Sequence, residues 1–383
     1  MSVYLDYNAS APIDIRVLDV MNNVYKNHIG NADSRTHEHG EEARKIVEKA
    51  RKQVASLLSI ASSEVFFTSG ATESDNIAIQ GLEDYAYETN KKHIITTAIE
   101  HKAVLETVKV MKKRGFDVDI INPEASGRIN PLHIMEKIRE DTLLVSMMHV
   151  NNETGIIQPI KEIGEELEKK GILFHIDATQ SCGKLVQELK EVKYNMLSFS
   201  AHKLRGPQGV GVLVLRKKRY KLPPVKPIIF GGQQENGIRP GTVPVALVAG
   251  CGASCEIAQN EYIENEKKNE KIKKLVLKIL DESGIEYYLN GAQEFCINNT
   301  LNICITGVMS EALMISTKQY CDISNGSACT SKNYSPSYVL AAMGLTNDQI
   351  ENSIRISWGS DTDPKEVLDN FGQLIEVAKQ IRG

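Results

Sequence analysis

Leu197-Ser198-Phe199-Ser200-Ala201-His202-Lys203 reads as a short buried strand running into a polar turn closed by Gly206 and Pro207. Lys203 stands where that strand ends. An ammonium placed at the end of an apolar strand loses hydration, which weakens its hold on a proton and leaves a nucleophilic amine. Such an amine is what a Schiff-base lysine requires. A lysine before a turn is more often a solvated loop charge, so the neighbouring stretches have to decide. Upstream, Ile172-Leu173-Phe174-His175-Ile176-Asp177-Ala178-Thr179-Gln180 is a second apolar run, and it delivers a carboxylate, Asp177, at its end.

Outward from these two strands the same pattern repeats. Val65–Thr68 reads as a strand, and Ser69-Gly70-Ala71-Thr72-Glu73-Ser74 as a turn opening a helix expected to continue to about Tyr87. A small-residue turn at a helix N-terminus offers free N–H groups to an anion, though the same residues also serve as an ordinary cap. His93–Thr97 is the next strand, and Glu100-His101-Lys102 begins the next helix. Leu143–Val150 ends in Asn151-Asn152-Glu153-Thr154-Gly155, a helix follows over Ile160–Lys170, and Gly209–Leu215 closes the series. Strands alternating with helices imply an α/β fold with a mostly parallel sheet covered on both faces. Ligands on such sheets bind beyond the carboxyl ends of the strands. Thr72, His101, Asn152, Asp177 and Lys203 each follow a different strand, so one sheet edge collects all five. A lysine for an aldehyde and an acid for a ring nitrogen is the pairing that pyridoxal 5'-phosphate needs. No G-x-x-x-x-G-K-[ST] is present, which argues against a nucleoside triphosphate.

Gly231–Thr242 is a glycine-rich loop before an apolar helix, and its Arg239 and Thr242 suit a phosphate. Charge clusters between Glu261 and Lys274, as on a solvated helix face joining two domains. The final third alternates differently and predicts a smaller α+β domain, so the expected division is 16–258 against 1–15 with 259–383. Within it, Ser324-Asn325-Gly326-Ser327-Ala328-Cys329-Thr330 and the residues up to Pro336 are too polar for core, which makes Cys329 an exposed, reactive thiol. Arg355 sits in the alternating strand Ser353–Trp358, a setting that suits a bidentate grip on a carboxylate or a structural ion pair.

With 383 residues, 42% hydrophobic and 25% charged, the chain has the composition of a soluble globular protein. A net charge of −4 argues against direct, nonspecific nucleic-acid binding. Seven cysteines without a C-x-x-C pair fit a reduced compartment, and most lie among apolar residues as core thiols. No apolar run suits a signal peptide or a membrane span, so a cytoplasmic protein is expected.

Three motifs carry a family resemblance: Ser198–Lys203, Ile176-Asp177-Ala178-Thr179-Gln180-Ser181 and Ser327-Ala328-Cys329-Thr330. They resemble the pyridoxal-phosphate-dependent cysteine desulfurases of the class V aminotransferase family, nearly end to end. The resemblance implies PLP fold type I, a homodimer, and conversion of L-cysteine to L-alanine. It gives Lys203 the cofactor aldehyde, Asp177 the pyridine nitrogen, and His101 a place stacked on the ring as a proton carrier. Ala71, Thr72, Gln180, Ser200 and His202 would hold phosphate and phenolic oxygens, while Thr242 would reach the cofactor phosphate of the neighbouring subunit. Asn152 would lie beside the cofactor and join Arg355 in gripping the substrate carboxylate. Cys329 would take the sulfur as a persulfide and pass it to a sulfur-acceptor protein; no metal is expected. Ala32 stands where such enzymes usually have proline, and no role is assigned to the loop Gly30–His37. Another fold-type-I enzyme, such as a selenocysteine lyase or an aminotransferase, stays open, although the Cys329 loop argues against the latter. So does a non-enzymatic interaction protein that keeps the fold. For the pathway, Gly237-Ile238-Arg239-Pro240-Gly241-Thr242 looks more like desulfurases serving DNA phosphorothioate modification, and the chain ending at Gly383 is expected to lack the scaffold-docking tail of iron-sulfur assembly enzymes. Iron-sulfur assembly and tRNA thiolation are the alternatives.

Overall fold

The computed structural model describes residues 2–326 and 336–382. In chain order its strands are β1 Val3–Tyr4, β2 Val65–Thr68, β3 His93–Thr97, β4 Asp117–Ile121, β5 Thr142–Met148, β6 Leu173–Asp177, β7 Met196–Ser200, β8 Gly211–Leu215, β9 Tyr287–Leu289, β10 Thr300–Ile305, β11 Cys321–Asp322 and β12 Ser353–Ser357. Seven of them form one sheet in the order β2-β8-β7-β6-β5-β3-β4. The pairs from β7 through β6, β5 and β3 to β4 are parallel, whereas β8 runs antiparallel to both β7 and β2. The sheet is therefore mostly parallel, and the fold is α/β of the fold-type-I kind.

Alternation along the central strands decides what lies on each face. Phe174 and Ile176 of β6, Leu197 and Phe199 of β7, and Val212 and Val214 of β8 share one apolar cluster with the helices Glu38–Leu58 and Ile160–Lys170. Met196, Leu213 and Leu215 point the other way, into a second cluster with the helices Ala71–Gln80 and Lys102–Lys113. On that second face the strands turn polar toward their carboxyl ends: Ser146, His175, Asp177, Ser198 and Ser200 are all buried there. Burial of so many polar groups is tolerable only where they bond to one another or to a ligand.

The helix expected to open at the Ser69–Ser74 turn and continue to about Tyr87 is two helices, Ala71–Gln80 and Glu83–Thr89. It breaks at Gly81, where the chain at Lys226 crosses so closely that a Cβ would sit 2.6 Å from the Lys226 carbonyl oxygen. The Lys226 N–H donates to the Gly81 carbonyl at that crossing. A crossing of this kind leaves no mark in the local periodicity.

The C-terminal third builds a three-stranded antiparallel sheet, β12-β10-β9, and β11 pairs in parallel with β1 from the chain's beginning. Val3 and Leu5 share a separate apolar cluster with Leu301, Ile303, Ile356, Trp358 and the helix Pro364–Arg382. The helix Val245–Ser283 belongs to both ends, burying Val248, Cys251 and Cys255 in the large cluster and Ile272, Val276 and Leu280 in the small one. Among the described residues no helix is long and apolar enough to cross a membrane.

Candidate active site

At the carboxyl edge of the large sheet lies a cavity of about 290 Å³. Its wall includes Ala71, Thr72, His101, Asn152, Asp177, Gln180, Ser200, His202, Lys203 and Arg355. Ten residues singled out from the sequence thus meet in one place. Thr242 does not line this cavity and is exposed. Arg239, from the same loop, is held in an ion pair with Glu73 at 3.0 Å rather than turned to the cavity. Cys329 lies outside the described residues.

Lys203 follows β7 on a single helical turn, Ala201–Lys203. Its Nζ donates to the backbone carbonyls of Asn8 at 2.5 Å and Ala9 at 2.6 Å. Asn8 is itself fixed, because its side-chain amide donates to Thr300 Oγ1 at 2.9 Å and to the Asn152 carbonyl at 3.2 Å. The N-terminal segment thus straps the lysine through two backbone carbonyls.

Asp177 ends β6 and accepts the Thr179 N–H at 2.9 Å. Below it is a buried polar layer. His175, two residues earlier on the same face, meets Ser146 of β5 through Nδ1 and Ser198 of β7 through Nε2, each at 2.9 Å. Burial pushes His175 down to about 3, so the ring is neutral. Asp75 lies 3.5 Å from His175 Nε2, and burial, reinforced by the charge of Asp177, pushes its carboxyl well up. Glu100 is raised to about 8 by burial, against the hydrogen bond from Thr97. Burial thus favours the protonated forms of Asp75 and Glu100, the two carboxyls behind Asp177.

His101 caps the helix Lys102–Lys113, its Nδ1 accepting the Ala103 N–H at 3.1 Å. A ring nitrogen that accepts cannot carry the proton, which places it on Nε2. Burial lowers this histidine further, with Asp177 opposing. His202 is pushed down to about 4 by burial and then by the charge of Lys203. At the other end, Ser200 Oγ accepts the Ala71 N–H at 2.7 Å, at the start of a helix whose N-cap, Gly70, offers no side-chain bond. Gly211 lets this turn approach β8: a Cβ there would lie 2.5 Å from Gly70. The remaining helix N–H groups and the dipole's positive end suit an anion.

Arg355 is buried in β12, donating to the Asn152 carbonyl at 2.9 Å and to Asp6 Oδ1 at 2.6 Å. Burial raises the Asp6 carboxyl, and Arg355 pulls it back. A structural ion pair therefore holds the guanidinium at the cavity wall. Asn8, Ala9, Lys102, Glu153, Thr179 and Tyr338 also line the cavity without having been expected there. Lys102, Glu153 and Thr179 lie in the strand-end turns read from the sequence, whereas Asn8, Ala9 and Tyr338 come from elsewhere in the chain. Glu153 accepts from Ser337 Oγ at 2.5 Å, and the Tyr338 hydroxyl donates to the Glu100 carbonyl at 2.7 Å. Among the described residues no cluster of three or more His, Cys, Asp or Glu could hold a metal ion.

The donor set fits pyridoxal 5'-phosphate. Asn152 Oδ1 and Thr179 Oγ1, both on wall residues, are buried without a hydrogen-bond partner, an arrangement that a polar ligand relieves. An amine, a carboxylate and an uncapped helix N-terminus stand around one volume, matching an aldehyde, a ring nitrogen and a phosphate.

The family model described as Aminotransferase class-V matches residues 3–369. Cysteine desulfurase IscS of Pseudomonas putida (strain F1) is 41% identical over 387 residues, covering 100% of this chain and 94% of that protein. A solved structure titled NIFS-LIKE PROTEIN superposes with a TM-score of 0.91 at 36% identity, over 99% of this chain and 100% of the other. DndA from Streptomyces lividans superposes with a TM-score of 0.81 at 40% identity, over 92% and 98%.

Proposed function

Because the chain belongs to the aminotransferase class-V family, we propose that it works as a pyridoxal-phosphate-dependent cysteine desulfurase, turning L-cysteine into L-alanine and an enzyme-bound persulfide. The observation that carries this reading is the meeting of Lys203 and Asp177 on one cavity with an uncapped helix N-terminus. Bound pyridoxal 5'-phosphate supplies an aldehyde for amines and an electron sink for charge developing at the substrate's α-carbon.

Lys203 would bind the aldehyde and, once displaced by the substrate amine, carry a proton at Nζ. Its two carbonyl acceptors, Asn8 and Ala9, aim that nitrogen. Asp177 would hold the proton of the ring nitrogen. Burial favours the protonated forms of Asp75 and Glu100 behind it. His101 would stack on the ring, and its Nε2 is the atom left to move a proton. Ala71, Thr72, Ser200, Gln180 and His202 would hold the phosphate and phenolic oxygens. Asn152 and Arg355 would grip the substrate carboxylate, keeping the cysteine oriented. Cys329 would take the sulfur: L-cysteine and the Cys329 thiol give L-alanine and the Cys329 persulfide. The persulfide then passes to a sulfur-acceptor protein.

The same proposal includes a homodimer in which Thr242 completes the partner's site. Two features support it: Thr242 is exposed and does not line its own cavity, and Ile229 and Phe230 of the same loop region are 47% and 85% exposed. A division into 16–258 and 1–15 with 259–383 is part of it as well, supported by the separate apolar clusters. For the pathway, sulfur donation to DNA phosphorothioate modification is favoured by the Gly237–Thr242 resemblance, and the likeness to DndA fits it. Iron-sulfur assembly is the second reading, favoured by the likeness to IscS. Deleting the gene separates them, since one reading predicts loss of phosphorothioate linkages and the other a fall in iron-sulfur enzyme activities.

Lys203→Ala tests the central assignment. The variant should fold, fail to give the borohydride-fixed adduct at residue 203, and release no alanine from cysteine. Normal alanine release by this variant would refute the reading.

A further inference from the structure

Lys203 also borders a second, smaller cavity of about 80 Å³, shared with Lys184 and walled in part by Tyr262, Glu266 and Trp358. Lys184 reaches it half-buried from the turn that follows β6. Its Nζ donates to Gln180 Oε1 at 3.3 Å, and Gln180 Nε2 donates to the Asn8 carbonyl at 3.0 Å. The same carbonyl accepts from Lys203 Nζ. Amine, carboxamide, carbonyl and amine therefore form one continuous chain.

The Asn8 carbonyl can only accept, so the carboxamide must present its nitrogen there, which leaves its oxygen to Lys184. Gln180 is left with one N–H and no further choice of orientation. The charges facing Lys184 come from several elements: Lys203 after β7, Glu266 on the long helix, and Cys182 on its own turn. Asp14, Arg205 and Glu261 border the same small cavity. Burial, and then the charge of Lys203, push Lys184 down to about 7, with Glu266 opposing.

We propose that Lys184 is a positioning residue for Lys203, fixing Gln180 as a donor and setting a second amine against the first so that a proton on one disfavours a proton on the other. The proposal rests on Lys203 being the amine that takes the cofactor. Its effect is electrostatic and therefore separable from packing, because Lys184→Met keeps the aliphatic stem while removing the charge.

The test loads the full chain with pyridoxal 5'-phosphate and follows its visible absorbance against pH in the wild type, Lys184→Met and Lys184→Arg. Removing the charge should move the midpoint upward by about one pH unit, a tenfold gain in proton affinity at the adduct. Arginine, a permanent cation, should leave the midpoint at or below that of the wild type. An unmoved or lowered midpoint in Lys184→Met overturns the proposal, and so does an arginine variant that shifts upward as methionine does. Should Lys184→Met fail to fold, Lys184→Gln carries the same comparison. Borohydride fixation with peptide mapping keeps two failures apart. Label away from Lys203 refutes the cofactor assignment, whereas label on Lys203 with an unmoved midpoint refutes the role of Lys184 alone.

Discussion

The carboxyl edge of the large sheet and the N-terminal segment both reach Lys203, by different routes. Thr72, His101, Asn152, Asp177 and Lys203 arrive because each follows a buried strand, and parallel strands end on one side. Asp6, Asn8 and Ala9 arrive because Val3 and Leu5 are buried with the C-terminal third, which lays the intervening turn across the cavity. The first group acts through side chains. The second acts on Lys203 through backbone carbonyls, and through the pairing of Asp6 with Arg355. Sheet topology therefore places the reactive groups, and the packing of the chain's first residues aims them.

Breaking the pairing across the two regions should have the largest effect. Arg355→Leu removes the guanidinium at the cavity wall and leaves the Asp6 carboxylate without its partner. A loss of about 3 kcal/mol, a little over a hundredfold in kcat/KM for L-cysteine, is expected. Steady-state alanine release measures it, and a change under threefold would mean that Arg355 serves packing alone.

Asn8→Ala tests the strap with a smaller effect. It deletes the two side-chain hydrogen bonds that hold the carbonyl against Lys203 while leaving every strand-end group in place. Stability should fall by about 1–2 kcal/mol, and alanine release by about tenfold. Equal turnover in variant and wild type would assign the aiming of Lys203 to the sheet edge by itself.

For turnover the mildest change concerns a buried acid beneath the edge. Glu100 is buried and raised from the usual carboxylate range to about 8. Below about pH 4 the folded and unfolded chains are both protonated there, and the residue carries no penalty. As pH rises toward 8 only the unfolded chain ionises, so stability is lost progressively through that window. Glu100→Gln should therefore raise the melting midpoint at pH 8 and leave it nearly unchanged at pH 4. An equal shift at both values would show that Glu100 is not the titrating group.

What could be read from the sequence follows the same line. The fold and the strand-end residues were legible because alternation and chain order are local, and local patterns fix which side of a sheet a residue leaves from. Asp6 and Asn8 were not, because their place depends on β1 pairing with β11 more than three hundred residues later. Lys184 was equally silent, since its meaning lies in a hydrogen bond to Gln180 and a shared cavity with Lys203. Gly81 breaks a helix only because Lys226 crosses there. Arg239, read as a phosphate ligand, is drawn off by Glu73, a competition that composition does not display.

The most direct measurement incubates the pyridoxal-phosphate-loaded full chain with L-cysteine, quantifies alanine, and maps each cysteine peptide by mass spectrometry. The account predicts alanine together with a gain of one sulfur atom on the peptide containing Cys329, and no such gain on the buried Cys182, Cys251 or Cys304. Absence of alanine, or sulfur carried by one of those buried thiols instead, would contradict it.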